Sequence, residues 1–138
     1  MSMAERPVPI SDEVTRPYWE GAAAHELRIQ HCDVCDTYIH FPAPQCPGCA
    51  SKALSWRRVS GAGQVYTYTV IHHVGALKAF AEDVPYVNAW VELDEQPGLR
   101  VLVRLACKPS QAAIGMRVEV CFVDRAEVTL PYFRPAEP

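Results

Sequence analysis

No run of this 138-residue chain stays apolar for the roughly 20 residues that a membrane-crossing helix needs. Neither end carries a lipidation signal. Met1 to Ile10 is polar and contains two prolines, without the apolar segment of a secretory leader, which points to a cytoplasmic, reducing setting. Basic charge is also scarce. Thirteen Lys and Arg face sixteen Asp and Glu, for a formal net charge of −3, and Arg57-Arg58 is the only adjacent basic pair. A nucleic-acid-binding chain would normally show a basic stripe, so that partner is not expected. Only seven glycines are present, and none builds a phosphate-cradling loop. Gly-x-Ser-x-Gly and His-Glu-x-x-His are both missing. His72-His73 sits at a strand end, where neighbours point to opposite faces; one buried and one exposed ring is expected, not a shared metal. Glu92, Asp94 and Glu95 read as a solvated strand end and turn. No constellation reads as a self-sufficient active site.

Cysteine, by contrast, is plentiful. Cys32-Asp33-Val34-Cys35 and Cys46-Pro47-Gly48-Cys49 are two Cys-x-x-Cys pairs separated by ten residues. Each pair forms a tight knuckle aiming two sulfurs at one ion, and the loop between brings the knuckles together. Pro47 and Gly48 supply the turn that faces backbone amides toward the thiolates. Four thiolates leave zinc no open coordination position, so the expected Zn2+ is structural. A disulfide framework conflicts with the reducing setting, and a thioredoxin-like dithiol needs only one pair. Cys107 and Cys121 lie in apolar strand-like runs and read as small buried hydrophobes. His31 and His40 flank the knuckles and are candidates to hydrogen-bond the thiolates.

Twelve prolines favour many short elements over long helices. Met1 to Pro9 reads as an extended tail. Ser11 to Ala24 reads as a short helix capped by Thr15, with Tyr18 and Trp19 as apolar anchors or a docking surface. Strands are expected over Glu26–His31, Tyr38–Phe41 and Leu54–Val59, giving a zinc-ribbon layout. Such a module has too little core to fold unaided, and metal binding would supply the shortfall, about 10–16 kcal/mol at neutral pH. After the Gly61-Ala62-Gly63 hinge, alternating runs predict strands over Gln64–His72, Tyr86–Leu93, Leu99–Leu105, Met116–Val123 and Val128–Phe133. A helical turn capped by Ser110 is expected over Pro109–Ile114. In the first of these strands Val65, Thr67, Thr69 and Ile71 share one face, against Tyr66, Tyr68 and Val70. Five strands with a helix between the third and fourth is the order of an OB barrel. The fold expected is therefore mainly β: a short N-terminal helix (residues 1–26 with the tail), a zinc ribbon (27–59) and a five-stranded OB-fold barrel (60–138). The long connection His73–Pro85, holding Leu77, Phe80 and Val84, reads as a contact loop or a seal over the barrel mouth.

Tyr18-Trp19-Glu20-Gly21, Glu26 through Cys35, Phe41-Pro42, Cys46-Pro47-Gly48-Cys49, Trp56, Ser60 through Val65, Pro85-Tyr86-Val87 and Ile114-Gly115-Met116-x-Val118 occur in order. Together they resemble the DUF35 family over roughly Thr15 to Pro135. The resemblance implies a helical segment, a rubredoxin-like zinc ribbon and an OB fold. It also implies a non-catalytic subunit bound to a thiolase-superfamily acyl-CoA enzyme (thiolase, aldolase or acyltransferase), with the OB part helping form the substrate or CoA tunnel. Metal positions carry over onto Cys32, Cys35, Cys46 and Cys49; no catalytic residue does. Asp36 departs from the glycine that many members place after the second cysteine.

The function expected is a zinc-binding accessory subunit with no activity alone, assembled two-plus-two with a thiolase-like dimer and meeting acyl-CoA through it. Tyr18, Trp19, Leu77 and Phe80 are its expected partner- or substrate-facing residues. The alternatives are a free-standing acyl-CoA or lipid-binding module and a single-stranded nucleic-acid binder using Tyr66, Tyr68, Arg100 and Arg104.

Overall fold

The computed structural model describes residues 6–137. The first five residues of the expected tail lie outside that range. One helix, α1 (Arg16–Ala23), precedes a three-stranded antiparallel sheet of β1 (Arg28–Cys32), β2 (Tyr38–Ile39) and β3 (Leu54–Arg58), in the order β2-β1-β3. Five strands follow: β4 (Ala62–Ile71), β5 (Tyr86–Leu93), β6 (Arg100–Leu105), β7 (Arg117–Asp124) and β8 (Thr129–Pro135). They close into a barrel in the order β4-β5-β6-β8-β7, completed by β4 against β7. Among the described residues only the β6–β8 contact is parallel. This is the OB-fold barrel expected from the strand count. No helix among the described residues is long and apolar enough to cross a membrane.

Period-2 patterning builds the barrel core. Val87, Ala89, Val91 and Leu93 of β5 and Val101, Val103 and Leu105 of β6 are buried, while the residues between them face outward. Phe133, fully buried, fills the barrel where β8 meets β6. The expected alternation fails in β4. A register shift between Val65 and Thr67 is a bulge, which reverses the facing beyond it. Tyr68 and Val70 therefore pack on the core, while Thr67 and Thr69 face outward.

Several expected details are corrected. Thr15 makes no side-chain bond to the helix amides. Asp12 does that work one turn earlier, its carboxylate accepting the Val14 and Thr15 amides while its own amide donates to the Thr15 hydroxyl oxygen, so the helix starts at Arg16. The predicted turn over Pro109–Ile114 shrinks to one 3-10 turn, Pro109–Gln111, closed by the Gln111 side chain on the Lys108 amide and not by Ser110. His72 and His73 are both exposed, because β4 ends at Ile71 and the pair leaves the strand. Cys107 lies in a bend after β6, and it and Cys121 are only half-buried.

Ribbon and barrel share a core. Leu27, Ile29 and Val59 belong to the same buried cluster as Val65, Val91 and Phe133. The ribbon keeps for itself only Cys32, Ile39 and Cys46, with Leu54 against them. Two glutamines act as backbone surrogates. Gln30 pairs with both the amide and the carbonyl of Ala43, at 2.8 Å each. Gln96, from the β5–β6 turn, accepts the Tyr38 amide at 2.8 Å and donates to the Tyr38 carbonyl at 3.2 Å, locking ribbon strand β2 to the barrel.

The Gly61-Ala62-Gly63 stretch is a close approach between strands. Gly61 has φ +77°, and a Cβ there would lie 2.2 Å from a Val120 methyl; one on Gly63 would lie 2.4 Å from the Glu92 carbonyl oxygen. Gly63→Ala should push β4 off β5 and destabilise the fold by roughly 1–3 kcal/mol, the usual range for overpacking. A urea midpoint unchanged from the parent would contradict this.

Candidate metal centre

The two knuckles have the same backbone. In the first, the Asp36 amide donates to the Cys32 carbonyl and the Cys32 amide to the Thr37 carbonyl. In the second, the Ala50 amide donates to Cys46 and the Cys46 amide to Ser51. Each loop turns through a residue of positive φ directly after its second cysteine, Asp36 at +59° and Ala50 at +62°. Asp tolerates that region better than most residues, and Asp36 has a further task. Its carboxylate faces Nε2 of buried His31 at 2.8 Å, while Asp33 faces Nδ1 at 3.1 Å. Ser55 donates to Asp33 from β3.

The sulfurs of Cys32, Cys35, Cys46 and Cys49 all lie within 4.8 Å of one another. Cys32–Cys49 and Cys35–Cys46 are each 3.6 Å apart. A tetrahedron with metal–sulfur bonds of about 2.3 Å has edges of about 3.8 Å, so the donor set fits a four-thiolate ion. Electrostatics agree. Amides of Cys49 and Gly48 hold the Cys46 thiol down to about 6, and those of Cys35 and Val34 lower Cys32. Cys49 accepts the Ser51 amide yet is driven up to about 12 by the sulfurs of Cys32, Cys35 and Cys46. Four thiolates this close repel one another unless a cation sits among them. Cys32 and Cys46 are buried; Cys35 and Cys49 are exposed, which places the site at the ribbon's edge.

Neither flanking histidine reaches a sulfur in the way expected. His31 is engaged by the two carboxylates. His40 is half-buried against Tyr18 and Phe41, and that desolvation lowers its pKa to about 4. The acidic trio is divided among separate partners: Glu92 with Arg100, Asp94 with Arg117, and Glu95 accepting the Ser60 amide.

The remaining named residues border the barrel. Tyr18 packs on the core, and burial raises its hydroxyl to about 12. Trp19 meets it edge-on and lines a cleft of about 250 Å³ with Leu102, Arg104 and Tyr132. Leu77 is exposed in the β4–β5 connection. Phe80, in a 3-10 turn of that connection, lines a second cleft of about 260 Å³ with Arg6, Leu130 and Tyr132. The connection is pinned by Asp83, whose carboxylate is shared by Arg6 at 2.8 Å and Arg104 at 2.7 Å. Sequence reading gave no site role to Phe41 or Trp90, which line a third cleft of about 260 Å³ with His40, Tyr66 and Arg100. Their signal was faint, since large residues at outward positions of a strand look like ordinary amphipathic scatter.

Comparison with known proteins places these features in company. Residues 19–55 match the family description "ChsH2, rubredoxin-like zinc ribbon domain", and residues 56–123 match "ChsH2, C-terminal OB-fold domain". A chain of the solved Ltp2–ChsH2(DUF35) aldolase is 37% identical, with a TM-score of 0.81, over 94% of this chain and all of that one. The DUF35 domain-containing scaffold protein of Methanocaldococcus jannaschii is 39% identical over 116 residues, covering 77% of this chain and 79% of that protein. A Thermomonospora curvata protein described as "Probable enoyl-CoA hydratase alpha subunit" is 40% identical over 137 residues, 98% of this chain. This chain spans only 41% of that subunit's length.

Asp83 sets a pH dependence. Hydrogen bonds from Arg6, then from Arg104, hold its carboxyl down to about 2. A depressed carboxylate stabilises the fold fully above the unfolded value near 4, and that contribution fades as pH falls through about 2. Asp83→Asn should cost about 1–2 kcal/mol at pH 7. It should also flatten the stability loss between pH 4 and 2 in urea titrations; an acid limb identical to the parent's would refute the assignment.

Proposed function

This chain belongs to the DUF35 family of ChsH2-type zinc-ribbon and OB-fold proteins, and from that premise we propose that it is a non-catalytic subunit of an acyl-CoA enzyme. Its partner is a thiolase-superfamily protein of thiolase, aldolase or acyltransferase type, and it helps complete that protein's active site or substrate tunnel. A twofold partner would give a two-plus-two assembly in the cytoplasm. The division into residues 1–26, 27–59 and 60–138 belongs to this reading.

The observation that carries it is the closed donor set. Cys32, Cys35, Cys46 and Cys49 supply four sulfurs to one point, leaving no position for substrate. Zinc held there contributes fixed positive charge and cross-linking of the knuckles. The chain's own residues do the rest: amides lower the thiols, and the His31 carboxylate pair ties the first knuckle to β3. The Ltp2–ChsH2(DUF35) aldolase supports a partner of aldolase type, and the relative described as "Probable enoyl-CoA hydratase alpha subunit" supports acyl-CoA chemistry. A free-standing acyl-CoA module is less favoured. Val65, Val91, Val101 and Phe133 fill the barrel interior, so an acyl chain would have to lie on the surface.

Elemental analysis of the purified chain should give one zinc per chain, and Cys46→Ser should lose it together with ribbon folding. Iron in its place, or a folded zinc-free variant, would overturn the metal assignment. The chain alone should show no thiolase, aldolase or acyltransferase turnover. A tagged chain drawn from its native cells should bring down a stoichiometric thiolase-superfamily protein; recovery with nucleic acid or alone would contradict the subunit reading.

A further inference from the structure

Residues 72–85 join the first and second strands of the barrel, β4 and β5, and residues 125–128 join its fourth and fifth, β7 and β8. In OB barrels the loops at these two positions border the ligand-binding face. Here they meet across a cleft of about 260 Å³, lined by Phe80 from the first, residues 125–127 from the second, and Leu130 and Tyr132 of β8. The remaining wall is the segment that precedes α1, through Arg6, Pro7 and Val8. The chain thus closes its own barrel at the end where an OB fold takes a ligand.

Side chains make this closure. Arg6 presents two nitrogens to the two oxygens of Asp83, at 2.8 Å each, the parallel geometry in which a guanidinium binds a carboxylate best. Its guanidinium also lies 5.1 Å from the centre of the Phe80 ring. Arg104 holds Asp83 from β6 at 2.7 Å, so the carboxylate is fixed to the barrel whether or not the segment is in place. Beyond Arg6 the fastening is slight. Among the described residues no backbone hydrogen bond joins residues 6–10 to the barrel, and Ile10 is 91% exposed. Pro7 and Pro9 have no amide proton to give. A stretch held by one ion pair and by apolar contact, with no strand pairing, can let go without breaking a ladder.

We infer that residues 6–8 are a strap: they close the ligand end of the OB barrel, fastened by Arg6 to Asp83, and keep it shut until they are released. Phe80 and Asp83 both belong to the β4–β5 connection, so strap and connection loosen together. The strap's own sequence states what that end accepts, an extended stretch with a guanidinium followed by compact apolar residues. The strap is a property of this chain by itself and stands or falls separately from the accessory-subunit reading.

The test uses the full-length chain. In the parent, nitrogen-15 relaxation should give the Arg6 and Val8 amides order parameters close to rigid backbone, about 0.8, and Asp83→Asn should drop them below about 0.6. The amides of Phe80, Ala81 and Asp83 are bonded within their own turn. Their hydrogen exchange should quicken by about threefold or more in Arg6→Ala, and by less in Arg6→Lys, which keeps the charge but not the paired bonds. A capped pentapeptide, Arg-Pro-Val-Pro-Ile, is then added at about 10 mM, above the millimolar effective concentration of a short tether. It should restore slow exchange to Arg6→Ala and leave the parent unchanged. Order parameters below about 0.6 in the parent would overturn the strap without recourse to any variant. Unchanged exchange in Arg6→Ala, a peptide without effect on that variant, or one that binds parent and variant alike would each overturn it too.

Discussion

Four sulfurs drawn within 4.8 Å of one another are unstable company as thiolates, and the ribbon is arranged around that constraint. The two knuckles bring amides to Cys32 and Cys46, lowering the buried pair, while Cys49 resists ionisation among its neighbours. A cation resolves the conflict. Without one, the knuckle end of the ribbon has only Cys32, Ile39, Cys46 and the flank of Leu54 as a core of its own, too small a cluster to offset chain entropy there. Two of its four core members are themselves ligands.

From the metal centre, order passes outward through β1. Cys32 ends that strand, while Ile29, three residues earlier, is buried in the barrel's core. The glutamine clamps add direction to this packing. Gln96 satisfies both backbone groups of Tyr38 from the β5–β6 turn, a substitute for one rung of a ladder between two sheets that are not otherwise paired. Buried backbone groups left unpaired at this seam would each cost about 1–3 kcal/mol, so rotation of ribbon against barrel is opposed. The side chains of Phe41 and Trp90 meet across this rigid seam.

The barrel contributes shape more than chemistry. Its interior is filled, Glu92, Asp94 and Glu119 are each matched to an arginine, and its longest connection is pinned by one carboxylate between two guanidiniums. What is left at the surface is a face on which Tyr66 and Tyr86 carry the paired arginines Arg100 and Arg104. That distribution, a closed metal site and a filled core beside an unfilled face, is what a molecule that acts through another would present.

Much of this was legible in the chain. The Cys-x-x-Cys pairs named the four metal positions because sulfur spacing in a knuckle is a local property of four residues. The alternation of β5 and β6 named their buried faces because pleating is local too. Local rules failed where partners are distant. The bulge after Val65 reversed the facing of Tyr68 and Val70, since register is set by β5 and not by β4 alone. Thr15 lost its cap to Asp12, and His31 its sulfur to two carboxylates, because each choice depends on which acceptor the fold brings nearer. Asp36, a departure by sequence, turns out to serve His31 from a left-handed backbone position. The sequence alone determined which four cysteines come together and how many strands form. The Phe41–Trp90 contact, the Gln96 clamp and the shared Asp83 join residues 49, 58, 77 and 21 positions apart. Only closure of the barrel against the ribbon could decide them, because no local periodicity carries information across such separations.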